Sequence, residues 1–459
     1  MWFYGVRFPG TILILAAGAS SVPSIVSAMA EAISDTTKSP PAPEWSFRDS
    51  ERARWNLAVT TGFDAFVHTF PLATADTTET IAEYLAQVGI EGHSVRSGRH
   101  RWSLRAESSV GTQLFRERIE AGYRLVDHRR RTRLRLDGSL WGRQYRRDTE
   151  YSLSSDNLEG RLDLRAYPLV RSGMGLEARG WNTFQEYDKP STLETDHREW
   201  GVGTFLRSRG LGSHLWNMGS RWTARSYPDS AQIDRVTTGL EGGYEYLGSS
   251  EASLRLYHRS DRRRIEDETV RPSAWIHWSD LVAAVPAGAG RVLCELESEV
   301  WRYDQEMSAY FDSWRMRGFG GFGWGEILST RWRLGLAGER LEAGNSPETY
   351  SQFGLRTGVE AFARDVSGSL TLELGRRLYD FIEVTENVNP ASDSTGAAGS
   401  DYVFSYSDFT YWEIWLMGAW SISDHFSLDV LANYQPERHT EAVDDSALGF
   451  GSIRLVWRP

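Results

Sequence analysis

The chain has 459 residues, of which 25% are charged and 40% hydrophobic, with 19 each of Trp, Tyr and Phe and a formal net charge of −11. This length allows two or three ordinary domains or one large β architecture. The acidic balance argues against a nucleic-acid-binding protein, which needs a basic face. The single cysteine, Cys294, excludes an internal disulfide and a thiolate metal cluster.

The N-terminal residues have the pattern of a secretory signal peptide. Arg7 supplies a positive charge, residues 11–19 form a short apolar run, and the Ala-Met-Ala at 28–30 matches a cleavage site. The apolar run is too short for a membrane anchor. Because there is no cysteine near the cleavage point, a lipoprotein anchor is not expected either. We therefore expect an exported chain with a signal peptide at 1–30 and a flexible, proline-containing leader at 31–54.

A strict alternation of side chains follows. In the stretch RTRLRLDGSLWG, Leu134, Leu136 and Leu140 occupy one parity, and Arg133 and Arg135 occupy the other. A helix would scatter these leucines, whereas a β-strand places them on one face. The stretch therefore predicts a strand with one apolar and one charged face.

The same period of two recurs along the chain. Further examples are 101–110, 118–125, 158–166, 174–181, 235–246, 252–259, 292–300, 331–339, 369–377 and 426–434. Ile81, Tyr84, Leu85 and Val88 also fit a helical stripe, but the neighbouring segments favour a strand there. We count about twenty such segments, each near the ~9–11 residues that a tilted membrane strand needs.

The connections alternate between short and long. Short ones are predicted at 126–131, 246–251, 363–369 and 421–426, and long polar ones at 186–199, 258–272, 386–408 and 435–447. Short turns at one rim and long loops at the other are typical of outer-membrane barrels. We therefore predict an all-β fold for residues 55–459, a transmembrane up-and-down antiparallel β-barrel of about 18–20 strands.

A soluble sandwich or barrel would place the apolar face in a core instead. Three features favour a membrane. The polar faces are dense in Arg and Glu, the apolar faces use small residues such as Gly138 and Ala178, and aromatic residues cluster near strand ends. An arginine on the lipid face at mid-depth costs roughly 2–4 kcal/mol, so the arginines are expected to point inward.

Two aromatic girdles are expected at the membrane interfaces. The predicted members near the short turns are Trp102, Tyr123, Trp278, Trp332, Trp420 and Phe426. Those near the long loops are Tyr187, Tyr303, Tyr310, Tyr350 and Tyr379.

The C-terminal stretch LGFGSIRLVWRP places Ile453, Leu455 and Trp457 at alternate positions. It resembles the terminal strand of bacterial outer-membrane β-barrel proteins, although it ends on Arg458-Pro459 instead of on the aromatic residue. This porin-like resemblance implies a Gram-negative outer membrane, contact with its lipid, and recognition of the C-terminal strand by the barrel-assembly machinery. It matches no particular subfamily.

Charged residues on the inward face are the candidate site. They are Arg133, Arg135, Arg161, Arg165, Arg221, Arg225, Glu295, Glu297, Glu299, Arg331 and Arg333. Acidic and basic walls facing across a lumen would orient small polar solutes and ions. The alternative is that neighbouring strands carry ion pairs that only solvate the wall.

A passive channel is the leading functional hypothesis, because residues 31–54 are too few for a plug domain. The loop at 386–408 either constricts the lumen or is an ordinary solvated loop. One rival is a non-conducting scaffold for surface polymer or a partner. A second is an outer-membrane hydrolase, although His425 and Ser427 share a face without an evident third member. We expect no catalytic site, no cofactor and no metal site.

Overall fold

The computed structural model describes residues 53–459 except 73–74, 95–99, 113, 128–131, 146–155, 172–173, 189–194, 209–212, 249–251, 306, 308–309, 327–328, 345–347, 381–406 and 441–444. The predicted signal peptide and nearly all of the predicted leader therefore lie outside the described residues, as does most of the loop at 386–408.

The described chain is almost entirely β-strand. The strands are β1 (Ala53–Leu72), β2 (Ala75–Ser94), β3 (His100–Gly111), β4 (Leu114–Asp127), β5 (Thr132–Tyr145), β6 (Asn157–Arg171), β7 (Met174–Tyr187), β8 (His197–Ser208), β9 (His214–Ser226), β10 (Arg235–Leu247), β11 (Ser253–Ile265), β12 (Ala274–Ala287), β13 (Gly290–Tyr303), β14 (Ser313–Gly325), β15 (Thr330–Ala343), β16 (Tyr350–Phe362), β17 (Val366–Tyr379), β18 (Phe409–Ser421), β19 (Phe426–His439) and β20 (Ser446–Trp457). A 3-10 turn at Ala231–Ile233 is the one helical element of the described residues, and none of these residues forms a long apolar helix able to span a bilayer.

The twenty strands form one closed antiparallel sheet. Each strand pairs with its neighbours in chain order, and β1 also pairs with β20, with Phe63 opposite Ile453. Closure satisfies the backbone groups that an open sheet edge would leave unpaired. The predicted up-and-down barrel is confirmed, at the upper end of the expected strand number. The segment around Leu85 is the strand β2, and Leu85 itself is buried on the inward face.

The outward face of the barrel is an apolar band. Leu336, Leu240 and Met218 expose 69%, 67% and 63% of their surface on it. Across the described strands, outward positions carry Asp, Glu, Lys or Arg only within four residues of a strand end. Soluble proteins do not expose a continuous apolar band of this size to water, so this surface faces lipid.

The connections define two rims. The short-turn rim includes the tight β12–β13 connection, where Gly288 adopts a φ of +59° that favours glycine. The long-loop rim includes the connections at 188–196, 304–312 and 380–408. The first strand begins and the last strand ends at the short-turn rim, as an even strand number requires.

A repeated hydrogen bond closes the base of the hairpins at the long-loop rim. From β6 onward, an Asp, Ser or Thr immediately precedes each strand that returns from this rim. These residues are Asp156, Asp196, Asp234, Ser273, Asp312, Thr349, Asp408 and Asp445. Each side chain accepts the backbone N–H at the end of the outgoing strand, at 2.7–3.1 Å.

The backbone carbonyls of these residues extend the pattern around the barrel. For example, the carbonyl of Asp312 accepts the N–H of Gly344 from the next hairpin at 2.8 Å, and that of Ser273 accepts the N–H of Asp304 at 2.9 Å. Neighbouring hairpins are thereby joined above the sheet. We call this series the rim caps.

The aromatic predictions are only partly matched in position. Trp102, Tyr123, Trp332 and Trp420 lie at outward positions near the short-turn rim. Trp278 does not, and its placement was wrong: it points inward from the long-loop half of β12, and its Nε1 donates to Glu297 Oε1 at 3.1 Å.

The tyrosines predicted for the other girdle were also placed on the wrong face. They lie at the long-loop rim, but at inward strand positions or in the loop above them. Tyr350, for instance, is 9% exposed and donates its hydroxyl to Glu339 at 2.5 Å. Tyr303 shares the inward parity of Glu299 on β13. The outward short-turn girdle also contains the predicted Phe426 and further members that the sequence reasoning missed: Trp55, Trp216, Tyr244, Trp324 and Trp457.

Candidate functional site: the charged interior of the barrel

The described residues leave the interior of the barrel without a crossing element. Extensive contacts join each strand only to its two hydrogen-bonded neighbours around the wall. Barrels of about 16–18 strands already enclose an aqueous channel, and this one has more. Among the described residues, the inward side chains therefore line the inner wall instead of packing into a core.

The arginines predicted on β5 and β6 point inward, and three of them bind carboxylates on the same strands. Arg161 and Arg165 flank the buried carboxylate of Asp163, at 3.4 and 2.8 Å. Arg179, on β7, also binds Asp163. Arg135 pairs with Asp137 at 2.5 Å. The basic ladder on these strands is thus interleaved with acidic residues.

The arginines predicted on β9 and β15 also point inward. Their partners are Asp261 for Arg221 at 2.5 Å, Glu199 for Arg225 at 2.6 Å, Glu360 for Arg331 at 3.4 Å, and the Thr371 hydroxyl for Arg333 at 3.1 Å. The Nε of Arg333 is buried without a hydrogen-bond partner. Arg133 lies exposed near the short-turn end of β5. Most of the predicted basic residues therefore have a polar partner within two strands.

The acidic ladder on β13 lies beside basic residues, not across the lumen from them. Arg315, on the adjacent strand β14, is 3.4 Å from Glu299 and 3.8 Å from Glu297. The indole of Trp301 donates to Glu299 at 2.7 Å. This geometry favours the ion-pair alternative for Glu297 and Glu299, while Glu295 faces Phe319 across the strand pair.

The inward face also contains networks that the sequence reasoning missed. On β16–β18, the buried carboxylate of Glu373 accepts from Arg356 Nε at 2.6 Å and from the Tyr411 hydroxyl at 2.5 Å. Gln352 links that hydroxyl to Arg377. Such a network fixes side chains on the wall, since each buried polar group has a partner.

One part of the inner wall is apolar. Trp415 and Met417 on β18 are 46% and 58% exposed on the inward face. Their neighbours across β19 and β20 are Leu431, Leu448 and Phe450. Because inward apolar residues break the expected pattern, alternation alone did not reveal this strip.

The hydrolase hypothesis receives little support from the predicted pair. His425 Nδ1 contacts the carbonyl oxygen of Arg458 at 2.8 Å, and Ser427 accepts from the Arg458 guanidinium at 3.3 Å. A different contact comes nearer to a triad: Ser407 Oγ lies 2.7 Å from His439 Nδ1, and His439 Nε2 lies 3.5 Å from Glu437. The His439 side chain is only 8% exposed and its ring packs on Phe409 at 4.7 Å, so it offers no open site for a substrate.

Among the described residues, no group of three His, Cys, Asp or Glu side chains is placed to hold a metal ion. The C-terminal residues singled out as an assembly signal lie on β20, which closes the barrel against β1. Ile453 and Leu455 expose 50% and 37% of their surface on the lipid face, and Trp457 has the same parity.

Comparison with known proteins places the fold. No protein-family model matches the chain, and no curated protein matches it in sequence. Among solved structures, the copper transporter OprC is 11% identical and aligns over 89% of this chain and 80% of its own, with a TM-score of 0.52. The outer membrane protein OpdK from Pseudomonas aeruginosa is 14% identical over 87% of this chain and 99% of its own, with a TM-score of 0.40.

OccAB4 from Acinetobacter baumannii is 9% identical over 90% of this chain and 100% of its own, with a TM-score of 0.45. At these identities the likeness is one of fold. With its closed ring of antiparallel strands and its apolar outer band, the chain has the fold of a transmembrane β-barrel, and OprC shares that fold at a TM-score above 0.5.

Proposed function

We propose that the protein is a passive diffusion channel for small polar solutes and ions, located in the outer membrane of a Gram-negative bacterium. In this proposal the signal peptide directs export, the C-terminal strand is recognised by the barrel-assembly machinery, and the charged inner wall contacts the solute.

One observation carries the proposal. The wall is closed and extensive contacts join its described strands only to their neighbours, while the inward positions are dense in Arg, Asp and Glu. Charged side chains on the inner wall require hydration, so the interior is expected to contain water. A water-filled interior that runs the full height of the lipid-facing band is a pore across the membrane. Paired charges such as Arg225–Glu199 make the wall polar without giving it one sign.

The test is conductance in planar lipid bilayers with the purified full chain. We expect steady ohmic steps, with the heat-unfolded protein in the same detergent as the control. Converting Glu295, Glu297 and Glu299 together to Gln should lower the ratio of potassium to chloride permeability. The matched control is Glu342→Gln, which removes an exposed carboxylate from an outward position at the long-loop rim.

A silent, correctly folded barrel would contradict the channel. Silence together with capture of a surface polymer would favour the scaffold alternative. Turnover of phospholipid or peptide would favour the hydrolase alternative.

A further inference from the structure

Four arginines converge on the inner face at the long-loop rim. Arg225 on β9 stands directly opposite Arg235 on β10. Arg263 on β11 is opposite Thr237, two residues along from Arg235. Arg271, in the β11–β12 connection, interacts electrostatically with both Arg235 and Arg263. Like charges placed opposite each other in a sheet destabilise it unless something compensates.

Only Arg225 has a carboxylate partner at ion-pair distance, and the same carboxylate interacts with Arg235 at longer range. Glu199 accepts two hydrogen bonds from Arg225, at 2.8 and 2.6 Å. Arg235, Arg263 and Arg271 have no carboxylate within ion-pair distance in the part of the chain that the structure describes. The Nε of Arg263 is buried and has no hydrogen-bond partner. A desolvated guanidinium without a counter-charge is costly, so the arrangement calls for an anion.

Aromatic rings hold two of these guanidiniums in place. Arg263 lies over the ring of Trp301 at 5.0 Å, and Arg271 lies over that of Tyr310 at 5.2 Å. Tyr303 packs between the two rings, 5.9 Å from Trp301 and 5.8 Å from Tyr310. Stacking uses the face of a guanidinium and leaves its in-plane N–H donors, the groups that recognise the oxygens of carboxylates and phosphates.

We infer that Arg235, Arg263 and Arg271 form a binding site for a small solute that carries a carboxylate or phosphate group. The inference rests on the barrel fold and not on conduction, although in a channel this site would meet anionic solutes at the long-loop mouth.

The test uses the intact protein in detergent, where no current is needed. Inorganic phosphate and succinate are titrated separately at constant ionic strength, and the indole fluorescence is recorded. We expect a saturable change with at least one of the two anions, absent in Trp301→Phe. Saturation by phosphate alone, by succinate alone or by both supports the site and identifies the group that it takes.

Variants separate binding from folding. Arg263→Gln and Arg271→Gln should each raise the apparent Kd at least about 10-fold. Arg271 lies outside the strands, so its variant remains informative if Arg263→Gln fails to fold. Arg340→Gln, which removes an outward arginine that is paired with Asp380 at the same rim, should leave binding unchanged. A response that does not saturate, or that both cluster variants retain, overturns the inference. A silent bilayer with intact anion binding would contradict only the channel.

Discussion

Neighbouring positions in the middle of β5 should respond oppositely to the same substitution. Leu140 points toward lipid, and Ser139 points inward, between Glu120 on β4 and Arg161 on β6. The two residues lie at nearly the same depth because they are adjacent in one strand. Leu140→Arg therefore places a charge in hydrocarbon, while Ser139→Arg places it in the wet interior.

The expected magnitudes differ clearly. An arginine on the lipid face near the bilayer midplane costs about 2–4 kcal/mol of folding free energy, which is about a 30- to 900-fold change in the folding equilibrium. At Ser139 the new guanidinium faces one carboxylate and one arginine, and we expect a change below about 1 kcal/mol.

The assay is reversible urea unfolding in phospholipid vesicles, followed by tryptophan fluorescence and by the mobility of unboiled samples on gels. The expected order of stability is wild type close to Ser139→Arg, with Leu140→Arg well below both. Equal losses for the two variants, or a larger loss for Ser139→Arg, would refute the assignment of the faces.

Three further predictions address one rim cap, the ion pair between Arg340 and Asp380, and the triad-like contact. Asp312→Ala removes the acceptor of the Tyr303 N–H. If the lost hydrogen bond contributes about 1–2 kcal/mol, hydrogen exchange at Tyr303 should be about 5- to 30-fold faster, while Asp312→Asn should keep most of the protection. An unchanged rate in the alanine variant would argue against the cap. The hydrogen bond from Arg340 lowers the pKa of Asp380 below its usual 3.8. The ionised carboxylate therefore stabilises the fold fully at pH values above 3.8, and this stabilisation is lost as the pH falls through the lowered pKa of the folded state. Arg340→Gln should return the NMR titration of Asp380 to the usual range, and a titration unaffected by the substitution would contradict this cause. A fluorophosphonate probe should not label Ser407 in the folded protein, and labelling that Ser407→Ala abolishes would instead establish a nucleophile.

The fold could be predicted from sequence because its determinants are local. Alternation such as that of Leu134 and Leu136 against Arg133 and Arg135 is a property of a few consecutive residues, and it repeats through the chain. The contrast between short and long connections then indicated the two rims. The face on which each aromatic residue lies could also have been predicted by continuing the alternation to the end of its strand. Tyr303, for example, is an even number of residues from the inward Glu299 and so lies on the same face.

The site was less predictable because it depends on register. Nothing in the sequence near Glu297 shows that Arg315 lies on the strand beside the acidic ladder of β13. The length of the connection between β13 and β14 determines that pairing. The arginine cluster around Arg263 comes from three strands and one connection. Only when these four segments are positioned does it become visible that Arg235, Arg263 and Arg271 have no carboxylate at ion-pair distance among the described residues. Asp, Ser or Thr just before a strand was a readable signal for the rim caps, and it was missed.

The native cysteine offers the most direct test of which face meets lipid. Cys294 is exposed at an outward position in β13, and Glu295 beside it points inward. A nitroxide attached to Cys294 in reconstituted vesicles should collide more with oxygen than with a water-soluble nickel chelate. The same label on Glu295→Cys in a Cys294→Ala background should show the reverse. Nickel access at Cys294 equal to or above that at position 295 would contradict a barrel whose leucine face meets hydrocarbon and whose charged face meets water.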